Sequence, residues 1–144
     1  MRVTVLLLDR VTDLLEEGFD LGVRIGTLES SSLVARPLTS LRRVVVASPD
    51  WLRRHGTLRH PRQLRAANCV RFLGSPLSWW TFHEKGRRFT VPVSGNLEFN
   101  HVAPAIHACA AGVGVGAFMS YQVAPFVERG DLRIVLERFE PPPP

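Results

Sequence analysis

Chemistry in this chain would have to come from its five histidines, two cysteines, thirteen carboxylates or the glycines around Gly114. A zinc pair on a helix needs histidines at i and i+4, where both rings reach one metal. His101 and His107 are six apart in one helical segment and so face different ways; His55, His60 and His83 read as caps and surface positions. Cys69 and Cys109 sit in apolar stretches without a CxxC partner, the pattern of reduced core residues in a cytosolic protein. A cysteine on the apolar face of a helix is usually inert packing, so Cys109 is not paired with His101 or His107 as a nucleophile. Glu16 and Glu17 are adjacent on a helix and point apart, which makes them solvated groups and not an acid/base pair. No catalytic residue, metal site or cofactor is expected, and the chain is not read as an enzyme.

Two further patterns invite binding chemistry. Gly112, Gly114 and Gly116 could let a backbone approach a pyrophosphate, but that fingerprint lies between a strand and the following helix. Here the helix comes first and the strand contains the glycines, so close helix-to-strand packing is the better reading. Trp79, Trp80 and Phe82 could line a pocket or stack on bases. Successive strand residues face opposite ways, so Trp80 alone shares a face with Phe82, and core packing is expected.

These residues need elements to hold them, and 144 residues that are 45% apolar and 22% charged suffice for a globular core. No apolar run is long enough to cross a bilayer, and no export signal is visible at the start. The net charge is +5 and every basic residue except Lys85 is arginine. The arginines are scattered in pairs (Arg42 and Arg43, Arg53 and Arg54, Arg87 and Arg88), which reads as solvated faces and not as a nucleic-acid footprint.

Apolar runs predict a strand from Val3 to Leu8, a helix from Asp9 to Gly18 and a strand from Leu21 to Ile25, together a right-handed βαβ unit. Strands follow over Leu33 to Leu38 and Leu41 to Ala47. Ser48-Pro49 starts a helix ending near Gly56, and His60-Pro61 starts another to about Ala67. Cys69 to Leu73 is a strand; Trp79 to His83 and Arg88 to Val93 form a hairpin around Gly86; Leu97 to Phe99 adds a short strand. A helix spans His101 to Ala111, buried through Ile106, Cys109, Ala110 and Val113, with Pro104 in its first turn if His101 is the cap. Val113 to Phe118 is a strand, Ser120 caps a helix carrying Val123, Phe126 and Val127, and Leu132 to Leu136 is the last strand. The class is α/β throughout.

Several segments carry a family pattern: DLLEEGFDLGVRIG at 13–26, ESSSLVARPL at 29–38, RRVVVASPDWLRRHG at 42–56, HPRQLRAANCVRF at 60–72, NLEFN at 96–100, CAAGVGVG at 109–116 and VERGDLRIVL at 127–136. In order and spacing they resemble the effector-binding domain of LysR-type transcriptional regulators. The resemblance implies a two-lobe fold like the type II periplasmic binding proteins, with lobe I incomplete. Lobe I would hold 1–36 and 130–144, lobe II 42–119, and the crossovers would be 36–40 and 119–129.

It also implies ligand contacts from Arg24, Gly26 and Thr27, from Phe72, Leu73, Gly74 and Ser75, from Asn100 and His101, and from Met119 and Ser120. Strand ends and helix starts suit anions, and Arg24 would suit a carboxylate. The implied function is effector sensing in a cytoplasmic bacterial regulator. Its partners would be a small-molecule effector, a carboxylate among them, and a second copy in a homo-oligomer, with no membrane. DNA would be read only through a helix-turn-helix absent from this chain. The alternative is a fragment of a periplasmic-type solute-binding protein.

Overall fold

The structure, a computed structural model, describes residues 1–8, 13–25, 31–72 and 79–143 and divides into two compact units, Met1–Val34 and Ala35–Pro144. In the first unit no strand forms among the described residues. Residues 1–8 and 21–25 carry no ladder, and Val3, Val5, Leu7, Leu21 and Val23 are exposed. The expected βαβ unit is therefore not seen, because an apolar run becomes a strand only when a neighbour takes its backbone hydrogen bonds. Asp9 and Val11 lie outside the described residues. Asp13 opens the local turn: its Oδ1 accepts the amides of Leu15 at 2.9 Å and Glu16 at 3.1 Å. Gly18, at φ +70°, closes it as expected.

In chain order the second unit contains β1 (Arg43–Ala47), α1 (Pro49–His55), a 3-10 helix (Pro61–Ala66), β2 (Arg71–Phe72), β3 (Trp79–Glu84), β4 (Arg87–Pro92) and β5 (Glu98–Phe99). Then come α2 (Val102–Ala110), β6 (Gly116–Met119), α3 (Ser120–Glu128), β7 (Arg133–Val135) and a last 3-10 turn (Glu137–Phe139). β1 is central, antiparallel to β6 with Val45 opposite Ala117, and antiparallel to β7 with Val46 opposite Ile134. A bridge from Cys69 to Val115 joins the lead-in of β2 to that of β6 in parallel, and β2 pairs in parallel with β5, Phe72 opposite Phe99. The C-terminal ends of β2, β5 and β6 thus share one edge.

Burial explains the VVVA run of β1. Val44 and Val46 pack with Ile106, Cys109, Phe118, Val123 and Leu132, while Val45 and Ala47 pack with Trp51, Leu64, Trp80, Phe82 and Val91. With both faces of the strand covered, polar alternation has no place. The hairpin behaves as read: Trp80 and Phe82 are buried, Trp79 is exposed, and Lys85 and Gly86 turn the chain with φ 50° and 76°. A side chain at Gly116 would collide with Cys109 of α2 and the Phe118 ring, and one at Gly114 with the Asn68 backbone. Close packing accounts for these glycines.

Several expectations are corrected. Residues 33–38 form no strand and are exposed, again for want of a ladder partner. The strand β7 pairs with β1, and Val123 of α3 is buried beneath the sheet. Hydrophobic pattern identified both elements but not their neighbours. Met119 holds the N-cap position of α3, so Ser120 is the first helical residue and not the cap. Val113 is exposed, one residue past the left-handed Gly112 that ends α2. The helix at Pro61 is a 3-10 helix: Pro61 and Leu64, three apart, both turn inward, which matches three residues per turn.

Candidate ligand-binding edge

Of the residues expected to touch ligand, the second unit gathers Phe72, Asn100, His101, Met119 and Ser120 at the shared strand edge. Phe72 ends β2 and pairs with Phe99, so Asn100 directly follows the paired position. The Phe72 ring meets Phe118 edge-on, centroids 5.9 Å apart, and Phe118 precedes Met119. Below this edge Arg71 and Glu98 form an ion pair that ties β2 to β5. Gly26, Thr27, Leu73, Gly74 and Ser75 lie outside the described residues. Arg24 belongs to the first unit, where it is exposed and makes no ion pair among the described residues.

The two helix starts at the edge differ. His101 holds the N-cap position of α2 in an extended conformation, φ −126° and ψ 145°, and makes no side-chain capping hydrogen bond. Pro104 falls in the first turn, where its missing N–H costs nothing. The exposed Asn100 stands one residue before the cap. First-turn amides with no side-chain cap, at the positive end of the helix dipole, are free to donate to an anion. At α3 the amides are already engaged: Met119 N–H donates to Gln122 Oε1 at 2.9 Å, and Ser120 N–H to the Arg42 carbonyl at 2.8 Å. Ser120 is left half-buried at the same edge.

Arg42, from one of the arginine pairs read from sequence as a solvated face, has a structural role. Its guanidinium forks onto Glu140 at 2.8 and 2.9 Å and reaches Glu137 at 3.0 Å. The hydrogen bonds to Glu140, then Glu137, raise its pKa and keep it charged. It fastens the chain entering β1 to the chain leaving β7. The partners lie 98 and 95 residues away, beyond any spacing rule.

Burial pushes the Cys69 and Cys109 thiols up to about 12, which leaves them protonated and unreactive. No cluster of three histidine, cysteine or acidic residues suited to a metal occurs among the described residues, and no helix among them is long and apolar enough to cross a membrane. A shallow recess lined by Arg43, Trp80, Thr81 and Glu140 lies on the hairpin side of β1 and includes none of the expected ligand residues.

The family model of the LysR substrate binding domain matches residues 1–144. The chain belongs to that family. This LysR substrate-binding domain is 32% identical over 133 residues to the probable HTH-type transcriptional regulator LtrA of Klebsiella pneumoniae, covering 92% of the chain and 43% of the relative. It is 31% identical to the HTH-type transcriptional regulator DmlR of Escherichia coli K12, covering 93% of the chain and 44% of the relative. The chain thus spans less than half the length of these curated relatives.

Among solved structures it resembles CrgA, a LysR-type regulator from Neisseria meningitidis, with a TM-score of 0.76 and 26% identity over 90% of this chain and 45% of that one. The regulatory domain of AphB in Vibrio vulnificus gives 0.73 and 26% over 83% and 60%. The fold class is therefore the α/β, two-lobe, periplasmic-binding-protein-like fold of these regulatory domains. The relatives are transcriptional regulators, so the solute-binding alternative is not favoured.

Proposed function

We propose that this LysR substrate-binding domain is the effector-sensing module of a bacterial LysR-type transcriptional regulator, and that its effector is a small carboxylate. The observation that carries the reading is the start of α2: first-turn amides without a side-chain cap, at the edge where β2, β5 and β6 end. That is where open α/β sheets hold anionic ligands. Asn100, His101 and Ser120 would supply polar contacts there, Phe72 and Met119 apolar ones. Arg24, Gly26, Thr27, Leu73, Gly74 and Ser75 remain candidates on the family pattern alone. Binding would act by differential affinity for the conformations of a homo-oligomer. Sequence-specific DNA reading would belong to a helix-turn-helix elsewhere in the whole protein.

A thermal-shift screen of small mono- and dicarboxylates, followed by calorimetric titration of each hit, tests this. A true effector at one hundred times its Kd stabilises the fold by about 2.7 kcal/mol. Asn100→Ala and Ser120→Ala should each weaken its binding at least threefold. A carboxylate that binds wild type and both variants equally places the site elsewhere.

A further inference from the structure

The arginines that look scattered in sequence converge in space at one end of the second unit. Arg62 and Arg65 share the exposed face of the 3-10 helix, because residues three apart eclipse, and exposed Arg59 precedes it. Lys85, Arg87 and Arg88 form the tip of the β3–β4 hairpin. Arg138 donates to the Arg59 carbonyl at 3.1 Å and covers the Phe139 ring at 4.7 Å. His60 joins the three groups: its ring lies 4.8 Å from Phe139 and 5.9 Å from Phe89, and its Nε2 is 3.6 Å from Glu84, which pairs across the hairpin with Arg87.

Seven cations gather here, and the carboxylate seen against them is Glu84, 3.6 Å from His60 Nε2, whereas Glu137 is held by Arg42. Their pairing is as uneven as their number. Arg42, Arg53, Arg54, Arg71 and Arg129 each sit on a carboxylate. Among the described residues none of the seven does.

Like charges gathered without partners repel one another, so this surface awaits an anion. The guanidinium fork matches phosphate oxygens. A protein interface would need an apolar centre with aromatic anchors, and single-stranded nucleic acid would need exposed stacking platforms. Neither is present among the described residues of the cluster: Phe139 is buried and Phe89 half-buried beneath it. We propose that this end of the domain docks on the phosphate backbone of duplex DNA without reading its sequence. The site is separate from the effector edge and goes beyond effector sensing.

Fluorescence anisotropy of residues 1–144 with a labelled 30-base-pair duplex of arbitrary sequence, from 25 to 200 mM salt, is the test. A variant with Arg62, Arg65, Arg87 and Arg88 all changed to Gln is compared with a charge-matched control changing Arg53, Arg54, Arg129 and Arg133 to Gln. The cluster variant should bind at least tenfold more weakly at 50 mM salt. Its log–log salt slope should flatten by about 3 to 4, since each phosphate contact contributes about 0.9. The control should lose less than threefold.

Equal losses in both variants, tighter binding of single strand than duplex, or displacement by polyglutamate as effective as by unlabelled duplex would each overturn the proposal. Should the quadruple variant melt early, Arg62→Gln/Arg65→Gln and Arg87→Gln/Arg88→Gln carry the test separately, each with about half the slope change. Carboxylate titration of the same variants should be unaltered, so failure of this proposal is distinguishable from failure of the effector reading.

Discussion

Gly116→Ala probes how tightly β6 is held against α2. A Cβ there would stand 2.7 Å from the Cys109 sulfur and closer still to the Phe118 ring. Both neighbours are fully enclosed, and the Phe118 ring cannot swing freely because Phe72 lies edge-on against it. Overpacking of this kind costs about 1 to 3 kcal/mol. With two obstructed neighbours the upper part of that range applies. Reduced freedom of the unfolded chain returns about 0.4 to 1 kcal/mol, for a net loss near 2 kcal/mol.

At about 4 °C per kcal/mol for a unit of this size, the melting temperature should fall by about 8 °C. Urea unfolding followed by tryptophan fluorescence gives the free energy directly. Adding Cys109→Ala removes one of the two obstructions, so the double variant should be less destabilised than the sum of the singles by about 1 kcal/mol. A Gly116→Ala protein melting within 2 °C of wild type, or strict additivity in the double variant, would refute the packing argument. Because β6 leads directly into Met119 and Ser120, affinity for any carboxylate effector should fall in parallel.

Three other outcomes are expected. Cys69 and Cys109 should resist a thiol reagent in the folded protein and react at once in urea. Their folded pKa of about 12 lies above the ordinary 9.0, so the native state holds more protons than the unfolded one between those values, and stability should fall as pH rises above about 9. Hydrogen bonds from Arg53 and then Arg54 lower the Asp50 pKa, so its contribution is present above the unfolded carboxylate value and lost as pH falls through the folded one; Asp50→Asn should flatten the acid limb of a pH–stability profile. Arg42→Met breaks contacts that are partly exposed, each worth about 0.2 to 1 kcal/mol, so the loss should be near 1 kcal/mol at low salt and shrink in 0.5 M salt, read by thermal melts.

Local chemistry was legible wherever one short stretch contained both partners. Ser48 accepts the Trp51 amide at 3.0 Å and Pro49 follows at the first helical position, as the Ser-Pro pair predicts. The hairpin declared itself through Trp80, Phe82 and Val91, and the start of α2 through Pro104. Neighbours were not legible. A period-two pattern says that residues 133–135 are extended, but their hydrogen bonding to β1 instead of the opening segment is decided by the fold.

The run from Val3 to Leu8 has the composition of a buried strand, yet composition cannot supply the ladder that makes one. At the candidate edge, Phe72, Asn100 and Met119 came from family spacing, while the roles of Arg42 and the arginine cluster emerge only from the fold. Charges 20 to 80 residues apart, such as those on Arg65, Arg88 and Arg138, have no sequence rule that brings them together.

The Arg42 fork has a mechanical consequence. The chain enters the sheet at β1 and leaves it after β7, and because these neighbours are antiparallel, entry and exit lie at the same end of the ladder. Tension applied at residues 42 and 140 would therefore open the pair like a zipper, one backbone hydrogen bond at a time, instead of shearing all of them together. A strand buried on both faces would then yield to a small pulling force. The contacts from Arg42 to Glu137 and Glu140 lie across the mouth of that zipper, so they would be the first to rupture and would set the force at which peeling begins.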